Sequence, residues 1–269
     1  MKISGLKVYA ALYLLFLYAP IILLPIFAFN SSTIIAFPLK EFTTHWFTDL
    51  FKAQELRAAL GRSLTIGLLT AAISTLLGIF AARAGAKYNF WGKGPVLGLV
   101  MLPLVLPDII VAVSLLVVLL RIGLGLGMTT VILGHVVICL PFAVAILNSS
   151  FAALDPSLEE AAYDLGETPI SAFWRVILPL VMPGIVSSML ITFTISLDEY
   201  IIASFLSGND PTLPVYLFSK MVRFSRDLPV VLAMGTILVG LSVVLLTIAE
   251  YLRRRSIAKT GAKDTGGFL

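Results

Sequence analysis

Charge, cysteine and histidine are all scarce in this chain of 269 residues. Only 13% of the residues are charged and 59% are hydrophobic, with a mean hydropathy of +1.01. A soluble domain keeps far more charge on its surface, so that class is excluded. The lone cysteine, Cys139, rules out an internal disulfide framework and reads as a buried structural thiol. The two histidines, His45 and His135, stand in no ligand cluster, so no metal site is expected. A glycine-rich phosphate loop is missing too, since Gly123-Leu124-Gly125-Leu126-Gly127 reads as a short turn between apolar segments. The chain is therefore expected to carry no ATPase site of its own. It lacks the internal repeat that marks inverted-repeat carriers and the even alternation that marks a membrane barrel.

What is present is apolar length. A span of about 30 Å of hydrocarbon takes about 20 residues. Six stretches qualify, near Tyr9–Phe29, Ser63–Ala82, Pro95–Leu120, Met128–Leu147, Val181–Leu206 and Val230–Leu252. Lipid offers backbone groups no partners, so each is expected to be a helix. The expected fold is an all-α polytopic membrane protein with six transmembrane helices, forming a single domain over 1–269. The first stretch is too long for a signal peptide and lacks a small-x-small cleavage site after it.

Basic residues suggest the orientation. With the N-terminus inside, Lys2, Lys7, Arg83, Lys87, Lys93, Arg175, Arg253, Arg254, Arg255, Lys259 and Lys263 fall on the cytoplasmic side. Lys40, Lys52, Arg57, Arg62, Arg121, Lys220, Arg223 and Arg226 fall outside. Both termini are then cytoplasmic, and the basic tail meets the anionic lipid leaflet. A net charge of +4 and a pI near 9.2 need no nucleic-acid partner.

One polar interval, 151–180, interrupts the apolar pattern. Asp155 and Pro156 have the form of a helix start, and Gly166 the form of a left-handed stop. Thr168-Pro169 repeats the start signal. Two short helices are expected, through Glu159–Leu165 and Ile170–Ile177, with Pro179 and Pro183 bending the chain back into the membrane. Asp155, Glu159, Glu160, Asp164 and Glu167 stand against Arg175 alone, which predicts an acidic knob for a basic partner.

Acids also lie inside the spans, where a carboxylate costs at least about 2.5–3.5 kcal/mol. Asp108 follows Pro107 in the third span, and Asp198 and Glu199 fall in the C-terminal half of the fifth. Helical spacing puts Ser188, Thr192, Ser196 and Glu199 on one stripe and Ser187, Thr194 and Asp198 on its neighbour. That polar half is expected to face a water-filled path or another helix. Three acids with no Lys or Arg in the spans suggest a site for a cation, with Tyr200 able to offer an aromatic face.

The loop spacing carries a resemblance. Glu160-Ala161-Ala162, then Gly166, then Val176-Ile177-Leu178-Pro179, is similar to the cytoplasmic docking loop of the binding-protein-dependent permeases of ABC importers. Val176 stands where Ile is usual. The stretch 63–252 resembles the core of that permease fold, of the type I importer class. Phe42-Thr43-Thr44-His45-Trp46, Leu106-Pro107-Asp108-Ile109-Ile110 and Ser196-Leu197-Asp198-Glu199-Tyr200 resemble the C-type permeases of polyamine importers, in which the last acid is often Asp. The resemblance implies ATPase docking by Glu159, Glu160, Ala161, Ala162, Asp164, Gly166 and Pro179. It implies a substrate path lined by Asp108, Asp198, Glu199, Ser196, Thr192 and Tyr200, with Trp46 as an outer aromatic lid. It further implies a second permease subunit in a heterodimer, two ATPases carrying ATP and Mg, an extracytoplasmic solute-binding protein and a bacterial inner membrane. Import of putrescine or spermidine by alternating access is the leading expectation. The same machine carrying an opine, an amino-acid derivative or a metal chelate is the alternative, and a proton-coupled carrier using Asp108 and Asp198 is a further one.

Overall fold

The computed structural model describes residues 5–223 and 228–260. Lys2, Arg226 and Lys263 of the charge pattern lie outside the described residues. Among the described residues twelve α-helices run in order: α1 (Gly5–Ala28), α2 (His45–Lys52), α3 (Gln54–Lys87), α4 (Lys93–Met101), α5 (Asp108–Arg121), α6 (Met128–Ala152), α7 (Ser157–Asp164), α8 (Pro169–Ala172), α9 (Leu178–Asp198), α10 (Ile201–Leu206), α11 (Leu213–Arg223) and α12 (Leu228–Thr260). Among the described residues the only β pairing is an isolated bridge between Asn30 and Phe42.

Five helical stretches are long and apolar enough to cross a membrane, and a bent pair makes a sixth when taken as one broken span. That pair is Lys93–Leu104 with Asp108–Arg121, turned by 106°. Pro103 and Pro107 explain the break, because each removes an amide donor from the helical ladder. The expected continuous third span is thus two segments. Asp108 becomes the first residue of α5, directly after the elbow.

The fifth span departs from expectation at both ends. Pro179 and Pro183 do not turn the chain. Pro169–Asp198 is one helical run of 30 residues, passing through a wide π turn at Phe173–Ile177. Pro179 follows that wide turn directly, where the i→i−4 ladder is already reset. At the far end α9 stops at Asp198, Glu199 is extended at φ −70° and ψ 123°, and α10 begins at Ile201. Glu199 and Tyr200 therefore do not continue the helical stripes.

Two compact units make up the chain. The first comprises residues up to Leu60 together with Val215–Ser242. In it the chain after α1 folds back as a hairpin-like loop, with Phe29 stacked on Phe42 at 5.0 Å and in a tilted contact with Phe47 at 4.8 Å. The second comprises Gly61–Pro214 with Val243–Leu269. Its centre is α6, which packs along α9 and also against α5 and α10. Glycines permit that closeness. A Cβ on Gly134 would stand 2.6 Å from Ile202 Cγ2 and 2.7 Å from Leu206 Cδ1, and one on Gly184 would stand 2.1 Å from Ser150 Oγ.

Candidate functional site

The end of the fifth span gathers polar chemistry inside an apolar unit. Tyr200, at the N-cap of α10, has a phenol that cannot reach back to the first free amides of the helix. Glu199, one residue earlier, does so instead: Oε1 accepts the Ile202 N–H and Oε2 the Ala203 N–H, both at 2.9 Å. Oε2 also lies 3.2 Å from Nε2 of His135, at ion-pair distance though off the hydrogen-bond axis. His135 is wholly buried on α6, and its Nδ1 meets Ser196 Oγ at 2.7 Å. The expected free carboxylate at 199 is thus engaged on three sides. His135, which the sequence offered as an isolated residue, is its partner.

The polar half of α9 faces helices. Ser187, Ser188, Thr192, Thr194 and Ser196 are all buried. Ser188 Oγ meets Thr75 Oγ1 of α3 at 3.1 Å, and Ser187 donates to the Ala249 carbonyl of α12 at 3.2 Å. Thr192 donates to the Ser188 carbonyl at 2.7 Å, and its own carbonyl accepts from the Cys139 thiol at 3.6 Å. The Thr192 hydroxyl is thus satisfied within α9 and that of Ser196 by His135 of α6, as buried hydroxyls require. Cys139 is buried, as its apolar setting suggested.

Asp108 and Asp198 remain as exposed acids, each at a break in a span. Tyr200 is half-buried beside the second break. The elbow at the first break holds a cavity of about 200 Å³, lined by Leu102, Pro103, Leu106, Ile110 and Ser114 among others. Trp46 belongs to the other compact unit. Its indole N–H donates to the Asn30 carbonyl at 2.8 Å, which ties the ring to its own loop. His45 lies 2.9 Å from Asp49, one turn along α2.

The caps of the 151–180 knob form where the sequence signals them. Asp155 accepts the Ser157 N–H at 2.9 Å and Thr168 accepts the Ser171 N–H at 3.3 Å. Gly166 sits at φ +85°, with the Glu167 N–H reaching the Ala162 carbonyl at 3.0 Å. Two of the knob's five acids are paired with basic side chains. Glu159 binds Arg83 at 2.6 Å and pairs with Lys87, both at the end of α3, and accepts the Tyr163 hydroxyl. Burial would raise the Glu159 carboxyl, but the hydrogen bonds from Arg83, Lys87 and Tyr163 overcome it and hold the group at about 2. Glu167 is taken by Arg175 at 2.8 Å. Glu160, Ala161, Asp164 and Gly166 stay exposed, while Ala162 is buried. Pro179 is exposed but sits on α9, a turn beyond the knob. The outward surface of the knob is completed by apolar side chains that the acid count passed over: Leu165, Ile170 and Trp174 are 86%, 74% and 61% exposed.

The chain is thus an all-helical, membrane-spanning protein with a capped knob and breaks in its third and fifth spans. The family described as "Binding-protein-dependent transport system inner membrane component" matches residues 74–257, and the chain belongs to that family. The chain is 36% identical over 249 residues to the Putrescine transport system permease protein PotI of Escherichia coli K12, covering 90% of this chain and 88% of that one. It is 36% identical over 253 residues to the Spermidine/putrescine transport system permease protein PotC of Shigella flexneri, covering 94% and 93%. In fold it is similar to a permease chain of a bacterial ABC transporter importing the acidic polysaccharide alginate, with a TM-score of 0.69 at 16% identity over 92% of this chain and 93% of that one. The same transporter bound to an alginate-loaded periplasmic protein gives 0.68 at 21% identity, over 96% and 94%. The protein is a multi-pass component of an ABC importer in the inner membrane, a system that includes an ATPase and a solute-binding protein. That membership leaves no place for the stand-alone proton-coupled carrier.

Proposed function

We propose that this chain is one permease half of an ATP-driven importer that carries putrescine or spermidine inward by alternating access. The observation that carries the substrate class is the pair of exposed carboxylates, Asp108 and Asp198, each set where a span breaks. Polyamines carry ammonium groups separated by short alkyl chains. Two fixed carboxylates near apolar surface suit such a molecule: the acids offset the lost hydration of the charges, and the apolar elbow accepts the methylenes. The similarity to two polyamine permeases over about nine-tenths of the chain supports the same reading.

The remaining parts follow from this role. A second permease completes the path, an extracytoplasmic binding protein delivers the solute, and two ATPases hold ATP and Mg and close against the knobs. The knob engages its ATPase through Glu160, Asp164, Leu165, Ile170 and Trp174. Both termini lie in the cytoplasm, with the knob. The contacts of Arg83 and Lys87 with Glu159 support this, since they keep the end of α3 and the knob on one side. The deciding experiment is uptake of radiolabelled putrescine and spermidine into vesicles holding the whole transporter. Saturable, ATP-dependent uptake of either supports the proposal. Failure with both, alongside uptake of an amino-acid derivative, an opine or a metal chelate, refutes it.

A further inference from the structure

We propose that Glu199 and His135 are positioning residues that together fix the break in the fifth span, so that the Glu199 carboxylate serves the protein's own backbone rather than an ammonium group of the substrate. This rests on the polyamine reading and divides the acids of that site by role.

The argument begins with reach. A helix leaves its first amides without partners, and the usual remedy is a short polar side chain at the N-cap. The N-cap of α10 is Tyr200, and no cap bond comes from its side chain. Glu199 stands one residue further out, yet spans the gap to both Ile202 and Ala203. An aspartate there is shorter by one methylene. It could not serve two amides from that distance and meet His135 as well.

Burial gives the second line. The side chains of His135 and Glu199 are 1% and 9% exposed, whereas Asp108 and Asp198 are in the open. A carboxylate in such surroundings must be paired and hydrogen-bonded. His135 supplies the pairing from α6, and Ser196, a turn before the break on α9, holds the other face of the imidazole at 2.7 Å. The three side chains stitch α6, α9 and α10 together around one point. Glycine supplies the third line. Gly134, adjacent to His135, lets Ile202 and Leu206 of α10 press against α6 at a distance no side chain would allow. Steric fit and charge therefore act on the same short helix from neighbouring residues of α6.

The assignment makes a kinetic distinction. A group that binds substrate changes KM when removed, while a group that shapes the path changes the maximal rate. The test uses the complete transporter in vesicles, with rates normalised to assembled complex and radiolabelled putrescine and spermidine as probes. Glu199→Gln and His135→Asn are each expected to lower the maximal rate about tenfold with KM within about twofold, and the double variant to be no slower than the slower single, since members of one network are not additive. A KM raised about fivefold or more in Glu199→Gln at full maximal rate, with His135→Asn behaving as wild type, overturns the assignment. Where Glu199→Gln does not assemble, Glu199→Asp decides. It keeps the charge and loses the reach, so its maximal rate falls in the same way; a wild-type rate overturns the assignment. Asp108→Asn and Asp198→Asn run beside these. Wild-type KM in both refutes the cation path itself, and the coupling between positions 135 and 199 is read independently from maximal rates.

Discussion

Glu159 of the 151–180 knob grips Arg83 of the second span through both carboxylate oxygens, at 2.6 and 2.7 Å. Lys87 and the Tyr163 hydroxyl close on the same carboxylate. The contact joins residues 76 apart in sequence. It makes the knob continuous with α3, so a push on the knob reaches two spans rather than one. Hydrogen bonds to charged groups contribute about 1.5–3 kcal/mol each, so Arg83→Ala should loosen α7 and lower uptake by about tenfold or more. Glu159→Gln should act in the same direction, more mildly. Uptake per assembled complex is the measurement, and wild-type transport by Arg83→Ala would refute the link.

The same carboxylate predicts a pH response. Its folded value of about 2 lies below the ordinary 4.5. A group with a depressed folded pKa lends stability above its unfolded value and loses it as pH falls through the folded one. The clamp should therefore be at full strength above about pH 4.5 and weaken only between there and about pH 2. Trypsin sensitivity of the 151–180 loop in vesicles should stay flat from pH 5 to 8 in wild type, and be higher throughout in Glu159→Gln.

Gly166 tests the docking surface. Nothing lies within 4 Å of where its Cβ would be, so space is not the constraint; its φ of +85° is. A left-handed residue costs about 1–2 kcal/mol for an ordinary side chain, and more with β-branching. Gly166→Val should unseat Leu165 and Ile170 and weaken ATPase association, while the subunit still inserts. Glu160→Lys should do the same through charge. Co-purification of the ATPase reads both, and normal stoichiometry in both variants would sink the docking assignment.

Asp108→Asn and Asp198→Asn keep shape and remove charge. Each should raise KM for polyamine about ten- to a hundredfold, the equivalent of one charge-assisted contact. Binding of polyamine to the isolated solute-binding protein should be unchanged, because that step precedes the membrane. Initial-rate uptake over a range of concentrations decides this.

Gly184 offers a stability test of the α6–α9 contact. Its missing Cβ would stand 2.1 Å from Ser150 Oγ and 2.8 Å from Ser150 Cβ. Overpacking of this kind costs about 1–3 kcal/mol. Gly184→Ala should lower the midpoint of thermal unfolding in detergent, and Ser150→Gly in the same chain should recover much of it. No recovery would show that the two helices do not meet there.

Much of this was legible from residue order alone. The spans were, because apolar length has few other meanings, and so was the knob, because Asp155, Gly166 and Thr168-Pro169 are local signals that act within a turn. The elbow at Asp108 was half legible: Pro103 and Pro107 announce a kink but not one of 106°. The break at Glu199 was hidden. It carries no proline or glycine, and a carboxylate that caps the next helix looks like one that continues the last. His135 was hidden for a related reason. Its partners Ser196 and Glu199 lie on other segments, and only the packing of α6 against α9 and α10 unites them. The pairing of Glu159 was hidden as well, because a charge tally of 151–180 does not include Arg83 and Lys87, far earlier in the chain.

The unbroken run from Pro169 to Asp198 has a mechanical meaning. Thirty residues of helix measure about 45 Å at 1.5 Å each. The run begins in the knob, at Ile170 and Trp174, and ends at the acid beside the break. It has the length of a lever, with its handle in the knob and its tip at Asp198. A tilt of about 10° at the handle sweeps the tip through about 8 Å over that length. That is roughly the reach of a side chain, and enough to take a carboxylate from one end of a short diamine to the other.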